Sequence, residues 1–186
     1  GPHRLAFDQN DTLVAAALRI AVSICRDAAD LPAVQSLMDK EDVTEKETTA
    51  WQKHADSISI PYDEKKSLVL QSADFESLLP VDLNELWSNP TQPFGACVSQ
   101  ERLYRIRALK QADVLMLMQL FPTTFSRDEM EAAYDYYEPI TTHDSSLSHA
   151  THAIIATWLE RLEAAWCFFE KARDLDTDST AARAAE

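Results

Sequence analysis

Apolar positions recur at helical spacing along most of this chain. Leu13, Val14, Ala17, Ala21, Ile24 and Cys25 share one side of a helix that Asn10 or Asp11 can cap and that runs to about Ala28. Leu31 to Asp39 reads as a short helix with Pro32 in its first turn, where the missing N–H costs nothing. Thr44-Glu45-Lys46-Glu47 has the spacing of a capping box and opens a helix through Trp51 to about Asp56. Ser57 to Tyr62 and Ser67 to Ser72 alternate or run apolar about an Asp63–Lys66 turn, which predicts a small β-hairpin. Leu79 to Gly95 holds Pro80, Pro90 and Pro93 and reads as a long loop with one turn of helix.

From about Ser99 the pattern predicts a long helix to Leu120, apolar on nearly every side between Val114 and Leu120, as suits a buried helix. Lys110, Gln111 and Asp113 form a polar cluster at the start of that apolar stretch. Ser126-Arg127-Asp128-Glu129 is a second capping box, and Pro139 ends the helix it opens. Two further helices are predicted, about His149 to Leu159 and Arg161 to Asp174, before a small, polar tail from Thr177 that reads as frayed. The sum is an all-α chain: six or seven helices in antiparallel hairpins and one small β-hairpin.

Composition sharpens this. Among 186 residues only Gly1 and Gly95 are glycine, against a usual share of about 7%. Such scarcity argues against Rossmann folds, P-loops and β-barrels, whose turns and phosphate loops depend on glycine. The net charge of −14 is spread along the chain. It disfavours nucleic acid and anionic membranes as partners, since both reward basic stripes. Cys25, Cys97 and Cys167 lack metal or redox spacing, and Cys25 and Cys167 read as core thiols. With no apolar run of 18 residues and no signal-peptide pattern, the compartment is only weakly constrained and leans to the cytoplasm.

Two segments carry candidate chemistry, KQADVLMLMQLF (Lys110 to Phe121) and YYEPITTHDSSLS (Tyr136 to Ser148). The second packs hydroxyls, an imidazole and a carboxylate just ahead of a helix. A helix N-terminus exposes unpaired N–H groups and a partial positive charge, so it can seat an anion. The bland alternative is an ordinary capping loop, because Ser and Asp are favoured N-caps. His149 and His152 have His-x-x-His spacing, but no third metal ligand accompanies them, so they read as solvent or core histidines. Asp144 reads as a cap for the helix or an orienter of His143. Trp158, Trp166, Met116 and Met118 read as core.

With the following AIIATWLERLEAAWCFFEKARDLD, these motifs resemble glycoside hydrolase family 65, which holds maltose, trehalose, kojibiose and nigerose phosphorylases and related α-glucoside hydrolases. The likeness extends more loosely through the earlier chain. It implies that residues 1–175 are the C-terminal half of an (α/α)6 catalytic barrel, with 176–186 a disordered tail. By the motif match, Lys110 and Gln111 bind sugar, and His143, Ser145 and Ser146 bind phosphate. The implied partners are an α-linked disaccharide or glucoside, inorganic phosphate as co-substrate, and the missing half of the barrel or a second copy. No cofactor or metal is called for. The family's general acid is the Glu of a Gly-Pro-Asp-Glu-Tyr motif, and the matching GPHRLAFDQND places Arg4 there. A guanidinium does not give up its proton at usable pH, so the usual acid chemistry is not expected of Arg4. Three readings stay open: a working phosphorylase or hydrolase, a non-catalytic binding or scaffold relative, and a relative re-purposed for other chemistry.

Overall fold

A computed structural model describes residues 17–177 except 59, 88 and 90. The cap at Asn10 or Asp11, Arg4 and the tail from residue 178 lie outside the described residues. Two compact units divide at Ile60–Pro61.

The first unit is three helices: α1 over residues 17–27, α2 (Pro32–Lys40) and α3 (Glu45–Ser57). Pro32 opens α2 as predicted. The Thr44 box forms in full, since the Thr44 side chain accepts from Glu47 N and the Glu47 side chain accepts from Thr44 N. Capping of this kind stabilises a helix by about 1 kcal/mol. Val22 and Ala55 are buried, and the Arg19 guanidinium donates to the Ala55 carbonyl at 3.2 Å.

The second unit begins with β1 (Tyr62–Asp63) and β2 (Leu68–Val69), an antiparallel pair in which Tyr62 faces Val69. The hairpin is shorter than predicted. Single-turn helices α4 (Leu83–Leu86) and α5 (Phe94–Cys97) interrupt the proline-rich stretch, and a third, α6 (Gln100–Leu103), follows it. Buried Phe94, Val98 and Ile106 hold these turns together. Then come α7 (Asp113–Leu120), α8 (Arg127–Tyr137), α9 (Ser146–Trp158) and α10 (Leu162–Thr177). The Ser126 box forms as well. Among the described residues, seven helices have eight residues or more and the others are single turns.

One long helix from Ser99 to Leu120 does not form. It splits into α6 and α7 because the chain between them is extended and paired elsewhere. Arg107 N donates to Leu79 O at 2.8 Å and Leu79 N to Arg105 O at 2.9 Å. Leu109 N donates to Ile140 O at 2.9 Å, and Thr142 N to Leu109 O at 2.7 Å. Extended backbone with long-range partners cannot also close helical i to i−4 bonds.

Val114, Leu115, Leu117 and Met118 of α7 are buried, and α7 packs on α8 and α9. Fully buried Tyr137 donates its hydroxyl to Val69 O at 2.8 Å, which ties α8 to the β-ribbon. At the α9–α10 turn, Glu160 takes a left-handed φ of 62° and Arg161 N reaches Ala156 O at 2.8 Å, closing α9 as a glycine would elsewhere. Arg161 then pairs with Glu131 and Asp135 of α8, and Arg127 donates to the carbonyls of Trp158 and Leu159.

Three core expectations fail on α9 and α10. Trp158, Trp166 and Cys167 are exposed, and Cys25 is half-buried. Helix α10 is apolar on two faces, and the buried one carries Ala165 and Phe168. Leu162, Trp166 and Phe169, at i, i+4 and i+7, form an exposed apolar stripe on the other.

Candidate functional site

The Leu109–Thr141 bridge sets the two motifs side by side. Lys110 and Gln111 follow Leu109 directly, while Thr142 and His143 follow Thr141, so both leave one main-chain junction. A crevice no larger than about one water molecule lies between the starts of α7 and α9. Gln111, Ala112 and Met116 line one side, and Leu147, Ser148, Thr151 and His152 the other.

On the α7 side, Lys110 is exposed, with no ion pair among the described residues. Gln111 is half-buried and donates through Nε2 to Asp113 Oδ1 at 2.9 Å. The second oxygen of Asp113 accepts from Nε2 of buried Gln71 at 2.9 Å. One carboxylate thus fixes both amides and leaves the Gln111 carbonyl oxygen to accept from a ligand.

On the α9 side, Ser145 is the N-cap residue and Ser146 the first helical residue. The helix therefore starts three residues earlier than predicted, inside the motif. Neither serine hydroxyl is used for capping or paired otherwise among the described residues, and no acidic residue sits in the first turn. Both hydroxyls, the first N–H groups of α9 and its positive end can turn to an anion. The Asp144 side chain neither caps α9 nor hydrogen-bonds to His143 among the described residues. Its Oδ2 accepts from Phe94 N at 2.8 Å and so caps α5, fifty residues earlier in the chain.

His143 adopts a left-handed φ of 58°, which places its Nδ1 2.9 Å from Ser148 Oγ. His152 is fully buried, with Nδ1 2.8 Å from Ser148 O. The His143 ring lies 4.5 Å from that of His152, 5.1 Å from that of His149 and 5.0 Å from that of Phe168. His149 is half-buried, and among the described residues no group of three ligating side chains could hold a metal. Burial pushes His143 from its ordinary 6.5 down to about 3, helped by the charges His152, His149 and Lys171 would carry. Burial likewise takes His152 to about 4, against the opposing pull of the Ser148 carbonyl. Both rings are neutral at pH 7.

Family and structural comparisons bear on the chain as a whole. The profile of the glycosyl hydrolase family 65 central catalytic domain matches residues 9–186. The chain belongs to glycoside hydrolase family 65. Among its family-65 relatives, an α,α-trehalose phosphorylase of Thermoanaerobacter brockii is 35% identical over 77% of this chain and 18% of its own length. A kojibiose phosphorylase of Halothermothrix orenii is 31% identical over 77% of this chain and 18% of the relative. A candidate kojibiose phosphorylase from the human microbiome superposes with a TM-score of 0.71 at 30% identity, covering 89% of this chain and 23% of that one. The chain therefore spans about a fifth of the length of the relatives it matches. Its described helices and the β1–β2 ribbon are those of part of the family's (α/α)6 barrel, and among the described residues no helix is long and apolar enough to cross a membrane.

Asp113, Gln71, Ser148 and His152 hydrogen-bond to or beside the candidate residues, yet the sequence did not mark them as site residues. Asp113 carried a signal, being the acid of the KQAD motif; Gln71, 42 residues away, carried none.

The neutral histidines set a pH window. A His whose folded value is depressed binds its proton preferentially in the unfolded chain. Its stabilisation is complete above about 6.5 and is lost as pH falls toward the folded values near 3 and 4. The paired carboxylates Glu76 and Glu129, held below their ordinary 4.5, lose their contribution only at lower pH. The groups facing His143 are His149 and His152 of α9 and Lys171 of α10, and all three oppose protonation. The urea midpoint is expected to fall between pH 6.5 and 4.5, with a shallower slope in His152→Gln. An unchanged slope would remove His152 as a cause.

Proposed function

We propose that this chain supplies the sugar- and phosphate-binding part of a family-65 α-glucoside phosphorylase. Lys110 and Gln111 hold the sugar beside the cleaved bond. His143, Ser145 and Ser146, with the N-terminus of α9, hold phosphate. The observation that carries this reading is the Leu109–Thr141 bridge, which starts both segments from one junction. Uncommitted hydroxyls at Ser145 and Ser146 and an acid-free first turn suit an oxyanion.

In the reaction a phosphate oxygen attacks the anomeric carbon as the carbon–oxygen bond to the departing sugar breaks on the opposite face. The departing oxygen takes a proton from a carboxylic acid, giving glucose 1-phosphate and a free sugar. If Arg4 stands at the usual acid position, as the motif likeness implies, that proton comes from a carboxyl elsewhere in the protein. Arg4 also favours a second reading, a non-catalytic relative that keeps the pocket as a binding module. In either case the exposed stripe of Leu162, Trp166 and Phe169 suits cover by the rest of a barrel or by a second copy.

The test is incubation of the full-length protein with phosphate and a panel of α-linked disaccharides. Glucose 1-phosphate is the expected product and would exclude the binding-module reading. Free glucose alone would mean hydrolysis. Silence with measurable sugar binding would support the module, and silence without it would overturn both readings.

A further inference from the structure

The phosphate reading leaves open which nitrogen of His143 carries the proton. A neutral imidazole donates from one nitrogen only, and a phosphate oxygen needs a donor. We infer that Ser148 is a positioning residue for the anion seat: its hydroxyl donates to Nδ1 of His143 and so keeps the ring proton on Nε2. This inference rests on the assignment of His143 to phosphate.

Ser148 is buried at 2% exposure, and each of its polar groups can be traced. Its N–H donates to Ser145 O at 3.0 Å. Its carbonyl is 2.8 Å from His152 Nδ1. A carbonyl only accepts, so His152 carries its proton on Nδ1, and its Nε2 is a bare acceptor, buried without a partner. The hydroxyl is 2.9 Å from His143 Nδ1 and has no other acceptor among the described residues. Were His143 to donate from Nδ1, the hydroxyl proton would be orphaned in a buried position. Orphaned buried donors are rarer than under-used acceptors. The hydroxyl therefore donates, Nδ1 accepts, and Nε2–H is the ring's one donor. A charged ring would also donate, but burial holds His143 neutral. One residue thus fixes its two neighbouring imidazoles in opposite tautomers, His143 through its side chain and His152 through its main chain.

That opposition supplies an internal control. In full-length protein labelled with nitrogen-15 in histidine rings, long-range proton–nitrogen spectra should show His143 as the Nε2–H form and His152 as the Nδ1–H form. Loss of signals in His143→Asn and His152→Gln assigns them. In Ser148→Ala, His143 should become a tautomer mixture while His152, held by the backbone, keeps its form. Affinity for inorganic phosphate should fall about three- to tenfold, and Ser148→Thr should restore both signals. Wild-type His143 in the Nδ1–H form, or an unmoved tautomer in Ser148→Ala, would overturn the inference. The wild-type spectrum decides even if the Ala variant does not fold. Phosphate that leaves the His143 resonances unmoved would instead overturn the phosphate assignment while the tautomer lock stands.

Discussion

Replacing His143 and Ser145 together by Ala is expected to weaken phosphate binding by at least about a hundredfold while glucoside affinity stays within about twofold. Hydrogen bonds to a charged group contribute about 1.5–3 kcal/mol each, and tenfold in affinity is about 1.4 kcal/mol. Two such losses give two to four orders of magnitude, with the lower end expected because neighbouring groups are not additive. Specificity follows from placement. Ser145 is the N-cap of α9 and His143 lies in the loop just before it, whereas Lys110 and Gln111 precede α7 and Gln111 is held by Asp113. His143 holds a left-handed φ that favours neither His nor Ala, so circular dichroism must first show an intact fold. Titration calorimetry with inorganic phosphate and with maltose reads both arms. A loss under threefold for phosphate would sink the seat.

Leu109→Pro should impair both arms together. The substitution removes the N–H that reaches Ile140 O at 2.9 Å and leaves that carbonyl unmatched at a buried junction. A proline that deletes a structural backbone bond costs about 3 kcal/mol or more. Losing one of the junction's two bonds, with only that from Thr142 N to the carbonyl at 109 left, loosens the start of α7 against the loop before α9, so sugar and phosphate affinities should fall in parallel. Leu109→Val is the control. It keeps the main-chain bonds and removes one methylene from a residue 6% exposed, at a cost of about 1 kcal/mol. Urea midpoints and both titrations, taken where the Pro variant is still folded, decide the matter. A Pro variant that loses stability yet keeps either affinity would falsify the coupling.

What could be read in the chain was the part encoded locally. The boxes at Thr44–Glu47 and Ser126–Glu129 formed as spaced, because each partner is three residues from the other. The motif residues themselves were legible, as was the loop-to-helix character of the second motif. What failed was non-local. Residues 104–109 continue a helical pattern, but Leu79 and Thr141 claim Ile106 and Leu109 as bridge partners. Asp144 had every local reason to cap α9 and instead caps a helix fifty residues back. Trp166 looked like core because periodicity says which residues share a face, not whether that face meets anything. The support beneath the site, Gln71 under Asp113 and Ser148 between two rings, lies in contacts that no spacing rule reports.

The junction at Leu109 and Thr141 is built from main-chain atoms, and almost any side chain can accompany such bonds. The interval between the two halves of the pocket is therefore insulated from drift in the residues that span it. Under the proposed sugar and phosphate assignment, side chains at the rim, from exposed Lys110 to Leu147, can be exchanged to suit another sugar without resetting the distance to the anion. A scaffold of that kind lets selectivity vary while the reach between its two ligands is held constant.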